Sequence, residues 1–180
     1  MSAEAQWKSE KDRVLGLPIA EKRKVYKATE YMTIEDIESW SKYARENSIG
    51  KANLAAEDQE ELAKISIKSD LNKSLSDKIS IFKGDITKLE LECDSLNGCP
   101  TGDAKISGGY NLPKNLKSVA FPCISTGIYG FPNRLAGHIA LRVARKYLEN
   151  NSMDRIVFCT FMPVDVEVYE SLMSHYFPLE

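Results

Sequence analysis

An α/β fold follows from three features of the 180-residue chain. From Lys78 onward, apolar strand-like runs alternate with glycine-containing turns. Ser118 to Ile124 (SVAFPCI) is β-branched and aromatic enough for a buried strand, and Arg134 to Leu148 (RLAGHIALRVARKYL) has helical periodicity. Before Leu75 the sequence is polar and helical in flavour. The change of character predicts two parts: residues 1–75 as an N-terminal helical extension and linker, and residues 76–180 as the α/β domain.

In chain order, Trp7, Val14 and Leu15 share a helical face that Pro18 interrupts, and Glu21 to Ala28 has the composition of a second short helix. Thr33 with Asp36 makes an N-cap signal that predicts a third helix carrying Ile34, Ile37, Trp40 and Ala44 on one face. These faces need a surface to dock on: the domain that follows is the expected one, with a binding partner as the alternative. Within Glu46 to Ala63, the run AAEDQEELA is acidic and short of large apolar residues, so it reads as a linker or a solvated helix. Lys78 to Phe82 (KISIF) alternates as a strand, with Lys83 to Ile86 (KGDI) as its turn, and Ala104 to Tyr110 (AKISGGY) is a weaker, glycine-softened strand. Ser118 to Ile124 is the strongest strand by composition, and Arg155 to Phe161 (RIVFCTF) is its rival. The helix between those two makes a βαβ unit, whose strands run parallel. Ligands of such sheets collect outside the strands' C-terminal ends, where Ser125 to Gly130 (STGIYG) stands.

Composition narrows the function classes. With 43% hydrophobic and 28% charged residues the chain has the balance of a globular protein. A net charge of −2 and a pI near 5.8 argue against coating nucleic acid, which needs clustered Lys and Arg on phosphates. No apolar run approaches the roughly 18 residues of a membrane span, and the first residues (MSAEAQWKSEKDR) carry acids where a secretion signal carries an apolar segment. A cytoplasmic or nuclear location, with neither membrane nor direct nucleic-acid partners, is the expectation. Cys93, Cys99, Cys123 and Cys159 lack paired C-x-x-C spacing and only His138 and His175 could assist, so no metal site or cofactor is expected. Cys123 and Cys159 stand in apolar runs and read as small packed hydrophobes.

The loop STGIYG admits two readings. Glycines let backbone approach a ligand, successive amides near a helix start converge on an anion, and Ser125 and Thr126 add hydroxyl donors. The same composition also serves a plain strand-to-helix turn. Two alternatives are excluded: there is no G-x-x-x-x-G-K-[ST] phosphate loop, and Tyr129 and Phe131 follow Cys123 where a thiol phosphatase would place a clamping arginine.

PCISTGIYGFP, KISIFKGDITKLE, TGDAKISGGYNLP and DRIVFCTFMPVD, in register along the chain, resemble the macrodomain family, and within it the MacroD-type hydrolases that remove mono-ADP-ribose from proteins. The N-terminal WKSEK and IESWSK stretches are similar to that subgroup's helical extension. The resemblance implies a macrodomain-like mixed sheet flanked by helices, with ADP-ribose and mono-ADP-ribosylated proteins as partners. It implies that Asp85 accepts a hydrogen bond from the adenine amino group beside the Ile86 backbone. Ser125, Thr126, Gly127, Ile128 and Tyr129 would wrap the diphosphate and distal ribose, and Phe161 would pack on the adenine. Each has a plainer competitor: Asp85 as a turn residue, Phe161 as core, Tyr129 as a surface aromatic.

The departures from the family bear on activity. The family's second strand, its asparagine-bearing stretch and the glycine run with a catalytic aspartate have no counterpart where ITKLEL (Ile86 to Leu91) passes straight into ECDSLNGC (Glu92 to Cys99). A further strand and helix are missing between Asn111 to Pro113 and Lys117 to Pro122. The chain therefore resembles a macrodomain shortened by two internal deletions and lacking family strands, as in a truncated isoform. No catalytic residue is assigned: Asp94 and Asp103 are the nearest acids, and both stand in polar, solvated stretches. The expected function is that of the ADP-ribosyl-carboxylate hydrolase lineage in an impaired form. The alternatives are a reader that binds ADP-ribose without cleaving it and a shortened chain acting only through protein partners.

Overall fold

Alternation of apolar residues from Ile79 builds the first strand of a small parallel sheet, seen in a computed structural model that describes residues 32–86, 89–90 and 117–180, with positions 9, 13, 16–18 and 21. Trp7, Val14, Leu15, most of the expected Glu21 to Ala28 helix, the Ala104 to Tyr110 strand, Cys93, Cys99, Asp94 and Asp103 lie outside the described residues. The chain divides into two units, Met1–Tyr31 and Met32–Glu180. The compositional change near residue 75 falls inside the second.

That second unit runs β1 (Met32–Thr33), a 3-10 turn (Ile34–Asp36), α1 (Trp40–Glu46), α2 (Ala56–Leu62), a second 3-10 turn leading into α3 (Asn72–Ser76), β2 (Ile79–Lys83), β3 (Leu89–Glu90), β4 (Ser118–Pro122), α4 (Asn133–Asn150), β5 (Arg155–Thr160) and α5 (Pro163–Tyr176). The three longer strands order as β2-β5-β4 and all run parallel, Ile156 pairing Ile79 on one side and Val119 on the other. The expected βαβ unit is thus present as β4-α4-β5. Every strand pairing among the described residues is parallel, including the short β1-β3 ladder. No described helix is long and apolar enough to cross a membrane.

Sequence strength and sheet position differ. SVAFPCI has the richer strand composition, yet every residue of β4 is only half-buried, whereas β5 lies between two strands and buries all but its first residue. Pairing on both edges removes backbone from water, and that is a property of position in the sheet.

Period two sorts β5 between two cores. Ile156 and Phe158 face a large cluster with Trp40, Leu141, Leu172, Met173, Tyr176 and Phe177, while Val157 and Cys159 face a smaller one with Ile37 and Phe82. The large cluster is the seat of α4 and α5, whose contact is close because residue 137 is glycine: a Cβ there would stand 2.8 Å from Val168 Cγ1. Arg145 is fully buried in it, with Nε donating to Glu149 at 2.7 Å, Nη1 to Asn72 at 3.0 Å and to the Tyr176 carbonyl at 3.1 Å, and Nη2 to the Lys68 carbonyl at 2.7 Å. A buried guanidinium is tolerated only when its donors are met in this way.

The helix predicted from Thr33 to Ala44 is two elements. Asp36 accepts hydrogen bonds from the Thr33 amide and hydroxyl, both at 2.8 Å, so the N-cap signal is used, but it opens a single 3-10 turn. Ile37 is extended, with φ −100° and ψ 116°, and drops into the smaller core. Trp40 then starts α1 and enters the large core, its Nε1 donating to the Phe177 carbonyl at 3.0 Å. One continuous helix could not deliver Ile37 and Trp40 to opposite faces of the sheet.

The acidic run read as linker or solvated helix is α2, and Asp58 on it is buried. Asp58 takes Arg134 and His138 of α4 as partners, at 2.6 and 2.8 Å from the guanidinium and 2.9 Å from the imidazole.

Candidate functional site

Three parallel strands end on the same side, and the segments leaving β2, β4 and β5 enclose a cavity of about 230 Å3. Gly84, Asp85 and Ile86 come from the KGDI turn, Cys123, Thr126 and Gly127 from the glycine-rich loop, and Phe161, Met162 and Asp165 from the β5-to-α5 junction. Phe161 also borders a second hollow of about 420 Å3 with Lys83, Thr160, Pro163, Val166 and Glu167. Its ring is 70% exposed, so it is not a core residue. An exposed phenyl ring between two hollows presents a flat apolar face to a ligand.

The loop after β4 is closed by its own backbone. The Phe131 amide donates to the Ser125 carbonyl at 3.0 Å, the Gly130 amide to the Gly127 carbonyl at 2.9 Å, and Thr126 Oγ1 to the Cys123 carbonyl at 3.2 Å. Among the described residues, the amides of Ser125, Thr126, Gly127, Ile128 and Tyr129 donate to no backbone carbonyl. A run of successive backbone amides without backbone acceptors is the kind of segment that can bind an anion.

The glycines of the loop differ in their reasons. Gly130 has φ +62°, a conformation costly to other residues. At Gly127 the φ is not positive and an added Cβ would meet nothing within 4 Å. The folded chain therefore imposes no glycine there, and the open space lies along the cavity wall. Ser125 is itself left-handed at φ 67°, a local strain found most often where a loop is shaped for use.

Of the residues expected from sequence, Asp85, Ile86, Thr126, Gly127 and Phe161 come together in the one cavity. Ser125, Ile128 and Tyr129 belong to the same loop without lining it; Ile128 is fully exposed and Tyr129 largely so. Asp165 was not anticipated. It is buried, lines the cavity, and accepts a 2.7 Å hydrogen bond from Asn133 Nδ2. The signal that could have found it is Pro163 at the first helical position with an acid two residues on, a helix-start pattern whose carboxylate must turn toward the strand ends.

The two cysteines beside the cavity are not poised nucleophiles. Burial pushes the Cys123 thiol up to about 12, with the Asp165 carboxylate adding to the effect, and burial pushes Cys159 up to about 12 with a smaller contribution from Asp85. Both stay protonated at neutral pH, so thiolate chemistry is absent there. Among the described residues no cluster of three His, Cys, Asp or Glu is arranged to hold a metal ion.

Comparison with known proteins follows the same outline. A family model described as Macro domain matches residues 113–140. The chain is 33% identical over 244 residues to "ADP-ribose glycohydrolase MACROD2" of Mus musculus, covering 97% of this chain and 49% of that protein. It is 27% identical over 249 residues to "ADP-ribose glycohydrolase MACROD1" of Rattus norvegicus, covering 99% of this chain and 92% of that protein. With "Macro domain-containing protein RSc0334" of Ralstonia nicotianae it shares 33% identity over 118 residues, 46% of this chain and 68% of that protein. The chain spans about half the length of the MACROD2 relatives it matches. The mouse MACROD2 alignment runs over 244 positions although the chain has 180 residues, so positions of that relative have no counterpart here. A solved structure titled as the macro domain of ganglioside induced differentiation associated protein 2 superposes with a TM-score of 0.51 at 21% identity, covering 85% of this chain and 100% of that one, a likeness of fold.

Proposed function

The chain belongs to the macrodomain family, in its MacroD-type branch, and from that premise we propose that the cavity at the strand ends binds ADP-ribose, free or attached to protein. One observation carries the reading. Gly127 is a glycine the folded chain does not itself require, set in a run of amides with no backbone acceptor among the described residues, across a 230 Å3 cavity from Asp85 and Phe161. Such an arrangement suits a diphosphate on the loop with a purine toward the Phe161 ring. The cavity is smaller than the roughly 300 to 1,000 Å3 of typical ligand pockets. That supports a binding mode in which the ligand extends past it over the neighbouring hollow at Phe161.

The lineage is that of the ADP-ribose glycohydrolases named above, and the reaction proposed for it is hydrolysis of ADP-ribose from acidic side chains. In this chain the reading favours binding with impaired turnover, because the stretch that carries the family's asparagine and aspartate has no counterpart between Ile86 and Ser118. The excess of aligned positions over chain length supports the same view of a shortened macrodomain. The proposed setting is the cytoplasm or nucleus, where mono-ADP-ribosylated proteins are the partners.

Calorimetric titration with ADP-ribose is the test, followed by incubation with a protein mono-ADP-ribosylated on carboxylates. Binding with no release identifies a reader, release identifies an enzyme, and no binding rejects both. Gly127→Glu is the control: its side chain has room in the free protein, so folding is kept while a carboxylate in diphosphate space abolishes binding. Unchanged affinity in that variant would place the site elsewhere.

A further inference from the structure

Two walls of the cavity come from separate segments of the chain. One is the glycine-rich loop, whose backbone bonds among the described residues are internal: Phe131 to Ser125 and Gly130 to Gly127. The other is the start of α5, where the Met162 carbonyl accepts from the amides of Asp165 at 3.0 Å and Val166 at 3.2 Å. Asp165 stands on the second wall and reaches the first, its Oδ1 receiving Asn133 Nδ2 at 2.7 Å where the loop runs into α4. Its carboxylate is 4% exposed, lines the cavity and sits in the first turn of a 14-residue helix, where the helix dipole favours its charge. At the loop's entry, the same carboxylate adds to the effect of burial in raising the Cys123 thiol.

We propose that Asp165 is a positioning residue: it pins the loop's exit at Asn133 to the start of α5, and so fixes the loop amides of Ser125 to Tyr129 relative to Phe161. Its consequence for affinity rests on the ADP-ribose reading, while the geometric claim does not. A carboxylate would repel a diphosphate if it contacted one directly. Committed to Asn133, it acts instead through the loop, and the energy of a charge-assisted bond goes into holding the amides in place before the ligand arrives.

The test compares Asp165→Ala, Asn133→Ala, the double alanine variant, and the exchange of partners Asp165→Asn with Asn133→Asp. Two quantities are read: amide hydrogen exchange at Gly130 and Phe131, whose bonds close the loop, and affinity for ADP-ribose. Each alanine variant is expected to speed exchange at both amides and to weaken ADP-ribose about ten-fold, the worth of one charge-assisted bond. The double variant should be no worse than either single one, and the exchange of partners should restore both readouts. Unchanged exchange in Asn133→Ala, or losses that add in the double variant, would overturn the proposal. If Asp165→Ala does not fold, Asn133→Ala and the exchanged pair decide the matter. Should the wild type bind no ADP-ribose while exchange follows the expected pattern, the ligand reading falls and the positioning role stands.

Discussion

Arg134 holds Asp58 with two nearly parallel hydrogen bonds, Nε to Oδ1 at 2.6 Å and Nη2 to Oδ2 at 2.8 Å, so a helix with no large apolar face is bound to α4 by charge and shape. His138 adds a third bond to Oδ1 at 2.9 Å, and its other ring nitrogen meets the Tyr176 hydroxyl at 2.9 Å. An ionised carboxylate only accepts, so Nε2 of the ring is the donor.

The pair predicts how stability responds to acid. The Arg134 guanidinium, aided by His138, holds the Asp58 carboxyl well below the usual carboxylate range against the opposing effect of burial. A depressed value stabilises the fold above the unfolded carboxyl's value of about 4, and that contribution is lost as pH falls through the lower folded value. Glu61, brought to about 2 by Lys64 and Arg142, adds to the slope in the same direction. Asp58→Asn should lose about 1.5 to 3 kcal/mol at neutral pH and flatten the acid limb. Urea midpoints measured from pH 7 to pH 2 check both.

At the alkaline end the two thiols beside the cavity set the sign. Cys123 and Cys159 are both pushed up to about 12, and a free thiol ionises near 8.5. The folded state keeps protons that the unfolded state gives up, so stability falls as pH rises above about 8.5. Alkylation at pH 8 should spare both cysteines in the native protein and label them in urea. Rapid labelling of Cys159 without denaturant would contradict its buried placement.

At Gly137 the contact between α4 and α5 has no slack. Gly137→Ala places a methyl 2.8 Å from Val168 Cγ1 and 3.3 Å from Leu172 Cδ1, which should cost about 1 to 3 kcal/mol by overpacking. Combining it with Val168→Ala removes the clash, so the double variant should lose less than the sum of the two single changes. Thermal or urea denaturation of the four proteins tests the cycle.

Phe161 separates binding from folding. Its ring is 70% exposed, so Phe161→Ala should leave the melting temperature nearly unchanged. If adenine stacks on it, affinity for ADP-ribose falls by about 1 to 3 kcal/mol, whereas ribose 5-phosphate, which has no base, is unaffected. A large loss of melting temperature instead would make the ring structural.

Period and composition alone reveal the strands β2, β4 and β5, the helix α4, the parallel βαβ unit and the loop residues from Ser125 to Gly130, because each is a local pattern with its partner surface implied. Phe161 and Asp85 were singled out through family motifs, and only the fold shows that Phe161 is exposed and not part of the core. What tertiary structure decided is where opposite partners meet: β5 rather than β4 at the sheet's centre, Ile37 and Trp40 on different faces, Asp58 buried under Arg134, and Asp165 facing Asn133. Burial and charge pairing are sums over neighbours far apart in the chain, so they carry no local signature. An acid on a polar helix reads as solvated until a distant arginine removes it from water.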